Sequence, residues 1–360
     1  MTNRTKITAV AAVVLVVAVA SYMSASRKSD PSTANLSDAG ATSPLPTASD
    51  RWSNTAVDPA VDAAAPEIGD ANLASADGKT IIVARWGSGR GEMGRDRPQE
   101  GNPEGPMSLV LAGRDLLVLD QVNGRLARYD SDGRLQRTSD VPTTVQDIAV
   151  AKDGTVAMVD RLVGKAVTLV DPNGRKIGEL PLGPKIAEPG LVTAVVVDGK
   201  NVYAEKEHGA LVLIGSTDGK PAADDTSPLS GRPSKDGALL LTAGLSSKAQ
   251  GKAYLNAIDR RTAALRFARA IQFPRPAQAI VLLDSDAQGT LYLGVAAGEP
   301  GDAHIACLDA GDGHVLGRIV LPLSHTPEES FRDFTVGDDG TIAFAVRTED
   351  NAQYRTAHCP

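Results

Sequence analysis

Aromatic residues make up only 4% of this 360-residue chain, and just two cysteines occur, Cys307 and Cys359. The first scarcity leaves the core to Val, Leu, Ile and Ala, and it removes the stacking platforms that hold single-stranded nucleic acid or sugars. The second excludes zinc-ribbon and thioredoxin-like chemistry, because neither cysteine has a CxxC partner. Clustered basic residues are also missing, and the net charge is -7. Phosphate backbones need grouped Lys and Arg, so nucleic acid is not an expected partner. The chain has no Gly-x-Ser-x-Gly elbow and no Cys–His pair with an orienting group. No catalytic residue and no cofactor is therefore nominated.

The N-terminus carries the sharpest local signal. Arg4 and Lys6 precede an apolar run from Ile7 to Ala20, and small residues follow. Charge, apolar stretch and small residues in that order make an export signal. Ala18-Val19-Ala20 has the small-x-small pattern of a cleavage site, so residues 1–23 read as a signal peptide. Extended through Met23, the run also reaches the lower limit of about 17 residues for a spanning helix. Residues 7–23 kept as an inner-membrane anchor are thus the alternative. Either way the remainder is expected outside the cytoplasm, periplasmic or secreted. Residues 24–77 are rich in Ser, Thr, Ala and Pro and show no periodicity. Such a stretch cannot bury enough apolar surface to offset the entropy of ordering it, and it is expected to be a disordered linker.

From Gly78 onward the sequence repeats itself. Leu116 to Asp120 reads as a strand, Gln121 to Gly124 as a turn, Arg125 to Asp130 as a second strand and Ser131-Asp132-Gly133 as a second turn. The same unit returns over 155–175 and 201–219, with Asp120 and Asp160 40 positions apart and Gly174 and Gly219 45 apart. Weaker copies run through Ala253–Asp259, Thr290–Gly313 and Phe334–Val346. A period of 40 to 45 with several short strands per unit marks propeller blades, in which Asp-Gly and Asn-Gly turns supply the positive φ of tight hairpins. The 283 residues of region 78–360 give six to seven blades at about 44 each. The final copy lacks an outer strand, while Thr80–Trp86 is a strand with no blade of its own. Pairing them closes a ring of six, with seven blades as the alternative. The fold class is all-β.

The first blade carries a resemblance. Trp86-Gly87-Ser88-Gly89-Arg90-Gly91, then Gly105-Pro106, then Asp120-x-x-Asn123-x-Arg125-Leu126-x-x-Tyr129-Asp130 resembles an NHL repeat. The second blade keeps Asp160 but has Val163 and Lys165 at the Asn and Arg positions, and the third has Glu205 and His208. The resemblance implies a six-bladed propeller that binds through the face bearing its second-to-third strand turns. It does not imply one activity, since members bind proteins or RNA and some related propellers are lyases or hydrolases.

Other motifs weigh little. Gly89-x-Gly91-x-x-Gly94 matches a dinucleotide fingerprint by letter, but Pro98 and Pro103 leave no room for the helix that would hold a pyrophosphate. The five histidines show no metal spacing. Asp-rich turns such as Asp130-Ser131-Asp132-Gly133 lack the downstream ligands of a calcium loop, so no metal is expected. Asp120, Gln121, Asn123, Asp160, Arg161, Glu205, Glu207 and His208 fall on one face if the blades align. They form a candidate binding face, or else turn residues that bond their own backbone. Cys307 and Cys359 lie late in neighbouring blades and are candidates for a disulfide in an oxidising compartment. The resulting expectation is an exported, non-catalytic propeller scaffold for a protein or small ligand of unknown identity. A lyase or hydrolase with an axial active site is the alternative.

Overall fold

A computed structural model describes residues 74–75, 78–224, 226–298 and 301–360. The expected export segment over residues 1–23, and the linker over 24–77 apart from Ala74, Ser75, lie outside the described residues. Among the described residues no helix is long and apolar enough to cross a membrane.

The run of apolar residues within Asp115–Asp120 is buried throughout, whereas Leu135–Asp140 alternates between half-buried and exposed. The contrast follows from position. A strand in the middle of a sheet that is covered on both faces needs continuous apolar residues, while an outer strand needs them only on alternate positions. Ser108–Ala112, Asp115–Asp120, Arg125–Tyr129 and Leu135–Asp140 pair in that order, antiparallel, as blade one. Blade two repeats the arrangement with Asp147–Val150, Val156–Asp160, Ala166–Val170 and Lys176–Pro181. Blade three has Val192–Asp198, Asn201–Lys206 and Leu211–Ser216, and among the described residues its outer edge meets only the isolated bridges Gly215–Pro221 and Leu211–Leu229. In blade four the inner strand shrinks to Arg232–Pro233, followed by Leu239–Ser247, Lys252–Asp259 and Leu265–Gln272. Blade five is Ala277–Ser285, Thr290–Ala297, Asp302–Asp309 and Val315–Pro322, with Ala74–Ser75 added in parallel at its outer edge.

Blade six combines both parts of the chain. Phe334–Val336, Ile342–Arg347 and Asn351–Ala357 are completed by Lys79–Arg85, which runs antiparallel to the last strand with Lys79 opposite Thr356 and Arg85 opposite Asn351. The ring is therefore closed by the strand that had no blade of its own, and the count is six rather than seven. Gly133, in the last turn of blade one, lies against this closing strand. A Cβ at Gly133 would sit 1.9 Å from the Ile81 carbonyl oxygen, and its φ is +78°, so no other residue fits there without displacing the strand.

Five apolar clusters fill the spaces between neighbouring blades. They lie between one and two, two and three, four and five, five and six, and six and one. None of the five spans blades three and four. That seam is bridged instead by ion pairs, Arg232 to Glu205 at 2.9 Å and Arg260 to Asp198 at 2.6 Å. A disulfide joins Cys307, in the third strand of blade five, to Cys359, two residues past the end of blade six, with Cα atoms 6.5 Å apart.

Candidate functional site

The inner strands leave a cavity of about 1060 Å³ along the propeller axis. It is bounded by Thr193, His208 and Phe331 where the inner strands begin, and by Gly113, Gly154, Gly199 and Asp338 in the turns where they end. Apart from the isolated bridge of Ser108 to Arg332, the innermost strand of each sheet pairs with no strand on its axial edge among the described residues, so its N–H and C=O groups face this space. Where water cannot serve them they need side-chain partners.

Two acids on inner strands provide such partners. Asp147, the first residue of the blade-two inner strand, is 1% exposed. Its Oδ2 accepts from the Val195 N–H of blade three at 2.9 Å, and its Oδ1 accepts from the Ser108 hydroxyl of blade one at 2.6 Å. Arg332 donates to the same carboxylate at 2.7 and 3.2 Å and also to the Val195 carbonyl at 3.1 Å. Three blades further round, Asp284 of blade five repeats the device. Its Oδ2 accepts from the Val336 N–H of blade six at 3.1 Å, while Lys235 donates to its Oδ1 at 3.2 Å and to the Val336 carbonyl. In both places an acid and a cation together cap the N–H and C=O of one residue on the next blade.

A third pair completes the set. Glu205 is 3% exposed. It accepts from Arg232 at 2.9 and 3.1 Å and from the Thr193 hydroxyl at 3.0 Å. Burial pushes the Glu205 carboxyl up, but the charge and hydrogen bonds of Arg232, helped by Thr193, hold it below the ordinary value of 4.5. Burial likewise lowers the Arg232 guanidinium, yet Glu205, Asp284 and Asp147 together keep it above its ordinary value. One guanidinium thus feels all three acids, so the three ion pairs form a single charged cluster around the axis. At the other mouth, Arg128 is held by Asp115 and Asp198 by Arg260.

The depressed Glu205 carboxyl makes a pH prediction. A carboxylate whose folded pKa lies below its unfolded value stabilises the fold above the unfolded pKa, and that contribution is lost as pH falls through the folded one. Denaturant unfolding of Glu205→Gln and the parent, followed from pH 7 to pH 3, is expected to show a less stable variant at pH 7. The two stabilities should converge below pH 4.5, where the parent also loses its charge at the seam between blades three and four. A gap that stays constant would show that Glu205 ionisation does not support that seam.

Only two of the eight sequence-nominated residues, Glu205 and His208, line the channel. Asp120 is fully buried and accepts from the Gly94 N–H, Asn123 and Arg125 at 2.8 to 2.9 Å. Asn123 also donates to the Gly87 carbonyl and Gln121 to that of Thr143. The bonds of Asp120 and Asn123 hold the glycine-rich lead-in against blade one, while that of Gln121 ties in the connection to blade two. A Cβ at Gly94 would meet the Val122 Cβ at 2.6 Å, so its glycine serves close packing and not a phosphate. Asp160 caps the N–H groups of Leu162 and Val163. Arg161 stacks 4.6 Å over Phe331 and donates to the Gly190 and Val192 carbonyls. Glu207 and His208 occupy a turn at φ of 52° and 55° and are exposed. All eight stand at the ends of second strands or in the turns that follow. Asp309, Asp312 and His314 come within 4.8 Å of one another on the opposite turns, but both carboxylates cap N–H groups of their own turn.

Sequence reasoning did not find Asp147, Asp284, Lys235, Arg232 or Arg332. Its available signal was an acid inside an otherwise apolar inner strand, as in Asp147-Ile148-Ala149-Val150, because a buried charge needs a partner.

No protein-family model matches this chain, and no curated protein does. Among solved structures it is similar to hydrazine synthase of Kuenenia stuttgartiensis, with 14% identity and a TM-score of 0.45 over 70% of this chain and 80% of that one. It is similar to BamB from Moraxella catarrhalis, with 12% identity and a TM-score of 0.37 over 70% and 86%. It is also similar to a catalytically inactive virginiamycin B lyase from Staphylococcus aureus with quinupristin, with 10% identity and a TM-score of 0.40 over 72% and 87%.

Proposed function

We propose that this chain is an exported, non-catalytic binding propeller that takes its ligand in the axial channel, from the face bearing the second-to-third strand turns. The observation that carries the reading is the state of the three axial acids. A general base must have a free lone pair aimed at substrate. Asp147 has none left, and Asp284 and Glu205 each commit three of their about four acceptor sites to backbone, hydroxyl and cationic donors, which hold them as paired carboxylates. The cavity, at about 1060 Å³, lies just above the about 300–1,000 Å³ usual for small-molecule sites. His208 and Glu205 at its mouth keep the nominated face within the reading. The NHL-like motif of blade one supports kinship with scaffolding propellers, and the disulfide is compatible with an extracytoplasmic location.

The test is a thermal-shift screen of the purified full-length chain against small extracellular metabolites, with each hit recovered and weighed by mass spectrometry. The expected result is a raised melting temperature with the hit recovered unchanged. Time-dependent conversion of a hit would instead establish the lyase or hydrolase alternative.

A further inference from the structure

The three axial ion pairs are balanced in charge but not in hydrogen-bonding capacity. Asp147 accepts four hydrogen bonds, two on each oxygen. Asp284 and Glu205 accept three each. The cations are not filled in the same way. A guanidinium carries five N–H donors and an ammonium three. Arg332 donates through Nε and Nη2, and its Nη1 has no acceptor among the described residues. Arg232 uses Nε and Nη2 on Glu205, and its Nη1 has only a long 3.4 Å contact with the Leu283 carbonyl. Lys235 uses two of its three donors. All three cations line the cavity. A molecule entering there meets unshared donors on Arg332 and Lys235, while Asp147 is fully engaged and Asp284 and Glu205 keep one open acceptor site each.

The rest of the wall is of another kind. Val150, Val196 and Ile280 line the same cavity and are half-buried, so part of each apolar side chain is presented to the channel. Spare cationic donors beside an apolar wall suit a ligand with an anionic head and an apolar body.

From this, and resting on the reading of the channel as a binding site, we propose that the channel binds amphiphilic anions. The carboxylate or phosphate head lies on Arg332, Arg232 and Lys235, and the hydrocarbon part lies along Val150, Val196 and Ile280. Charge-assisted bonds to such a head are worth more than neutral ones, so head charge decides affinity while the apolar wall tolerates varied tails.

The experiment is calorimetric titration of the full-length chain with four probes of one chain length, each below its micelle concentration: decanoate, decyl phosphate, decylammonium and decanol. Both anions are expected to bind, and the ammonium and the alcohol at least about tenfold more weakly, the equivalent of one charge-assisted hydrogen bond. The better of the two anions identifies the head. Val196→Glu adds a carboxylate to the wall without touching an ion pair. It should weaken decanoate about tenfold or more and strengthen decylammonium. Because that variant could fold poorly, a measurement on the unaltered chain stands beside it: inorganic phosphate should compete with decanoate and not with decanol. Equal binding of alcohol and anion, or no competition by phosphate, would overturn this inference and leave the binding propeller standing. Failure of any probe, charged or neutral, to bind, together with an empty metabolite screen, would overturn both.

Discussion

Arg332→Ala is expected to destabilise the propeller by about 3–5 kcal/mol, the usual cost of leaving a buried charge without its partner. Asp147 is 1% exposed, and Arg332 is its only cationic partner among the described residues. With the guanidinium gone, the carboxylate keeps the Ser108 hydroxyl and the Val195 N–H but has no cation in contact, only the more distant Arg232. The Val195 carbonyl loses its donor as well. In a domain of this size such a loss lowers the melting temperature by on the order of 10 °C. The pair is tested by a double-mutant cycle with Asp147→Ala. Removing both charges leaves the Val195 N–H and C=O to channel water, so the double variant is expected to recover at least half of the loss. A single-variant loss below about 1 kcal/mol would place this pair with surface salt bridges and would mean that it does not hold blades two and three together.

That pair also marks the boundary of what the sequence discloses. The blades were legible because each repeats a local pattern: an apolar second strand, an Asp or Asn turn, and a glycine at positive φ such as Gly133 or Gly174. Closure was legible by subtraction, since one blade lacked a strand and Thr80–Trp86 lacked a blade. The axial cluster is made differently. Asp147 and Arg332 are 185 positions apart, and Lys235 and Asp284 are 49 apart. No period relates them, because blade four has reduced its inner strand to two residues and Arg332 precedes its own blade. The turn acids drew attention because they recur, yet Asp120 and Asp160 recur for hairpin geometry. Of the three axial acids, Asp147 and Asp284 stand on two of the six inner strands and Glu205 on a second strand, so no repeat position marks them. The seam between blades three and four was hidden for a related reason. Among the described residues blade three has no regular outer strand, and its contact with blade four rests on Glu205 and Asp198, whose partners Arg232 and Arg260 come from another repeat.

The disulfide adds a second large and separable effect. Cys307 is fully buried in blade five, and Cys359 follows the strand that pairs with Lys79–Arg85. The bond spans 52 positions. A loop of that length contributes about 4 kcal/mol through the reduced entropy of the unfolded chain. Replacing the pair as Cys307→Ala with Cys359→Ser is expected to remove about that much, read as a lower denaturant midpoint with little change in the native spectrum. The bond also has a local role. Lys79–Arg85 is bonded to blade six along one edge only, and Val83 on it is 62% exposed. Its seat depends on Asn351–Ala357 staying in place, and the cystine anchors the chain just beyond Ala357. Hydrogen exchange is therefore expected to quicken in Lys79–Arg85 and Asn351–Ala357 before it does in blade two. A uniform rise across all six blades would assign the whole effect to the unfolded chain. A midpoint change equivalent to less than about 1 kcal/mol, with the closing strand still protected, would show that strand pairing and the contact at Gly133 hold the ring without the covalent link.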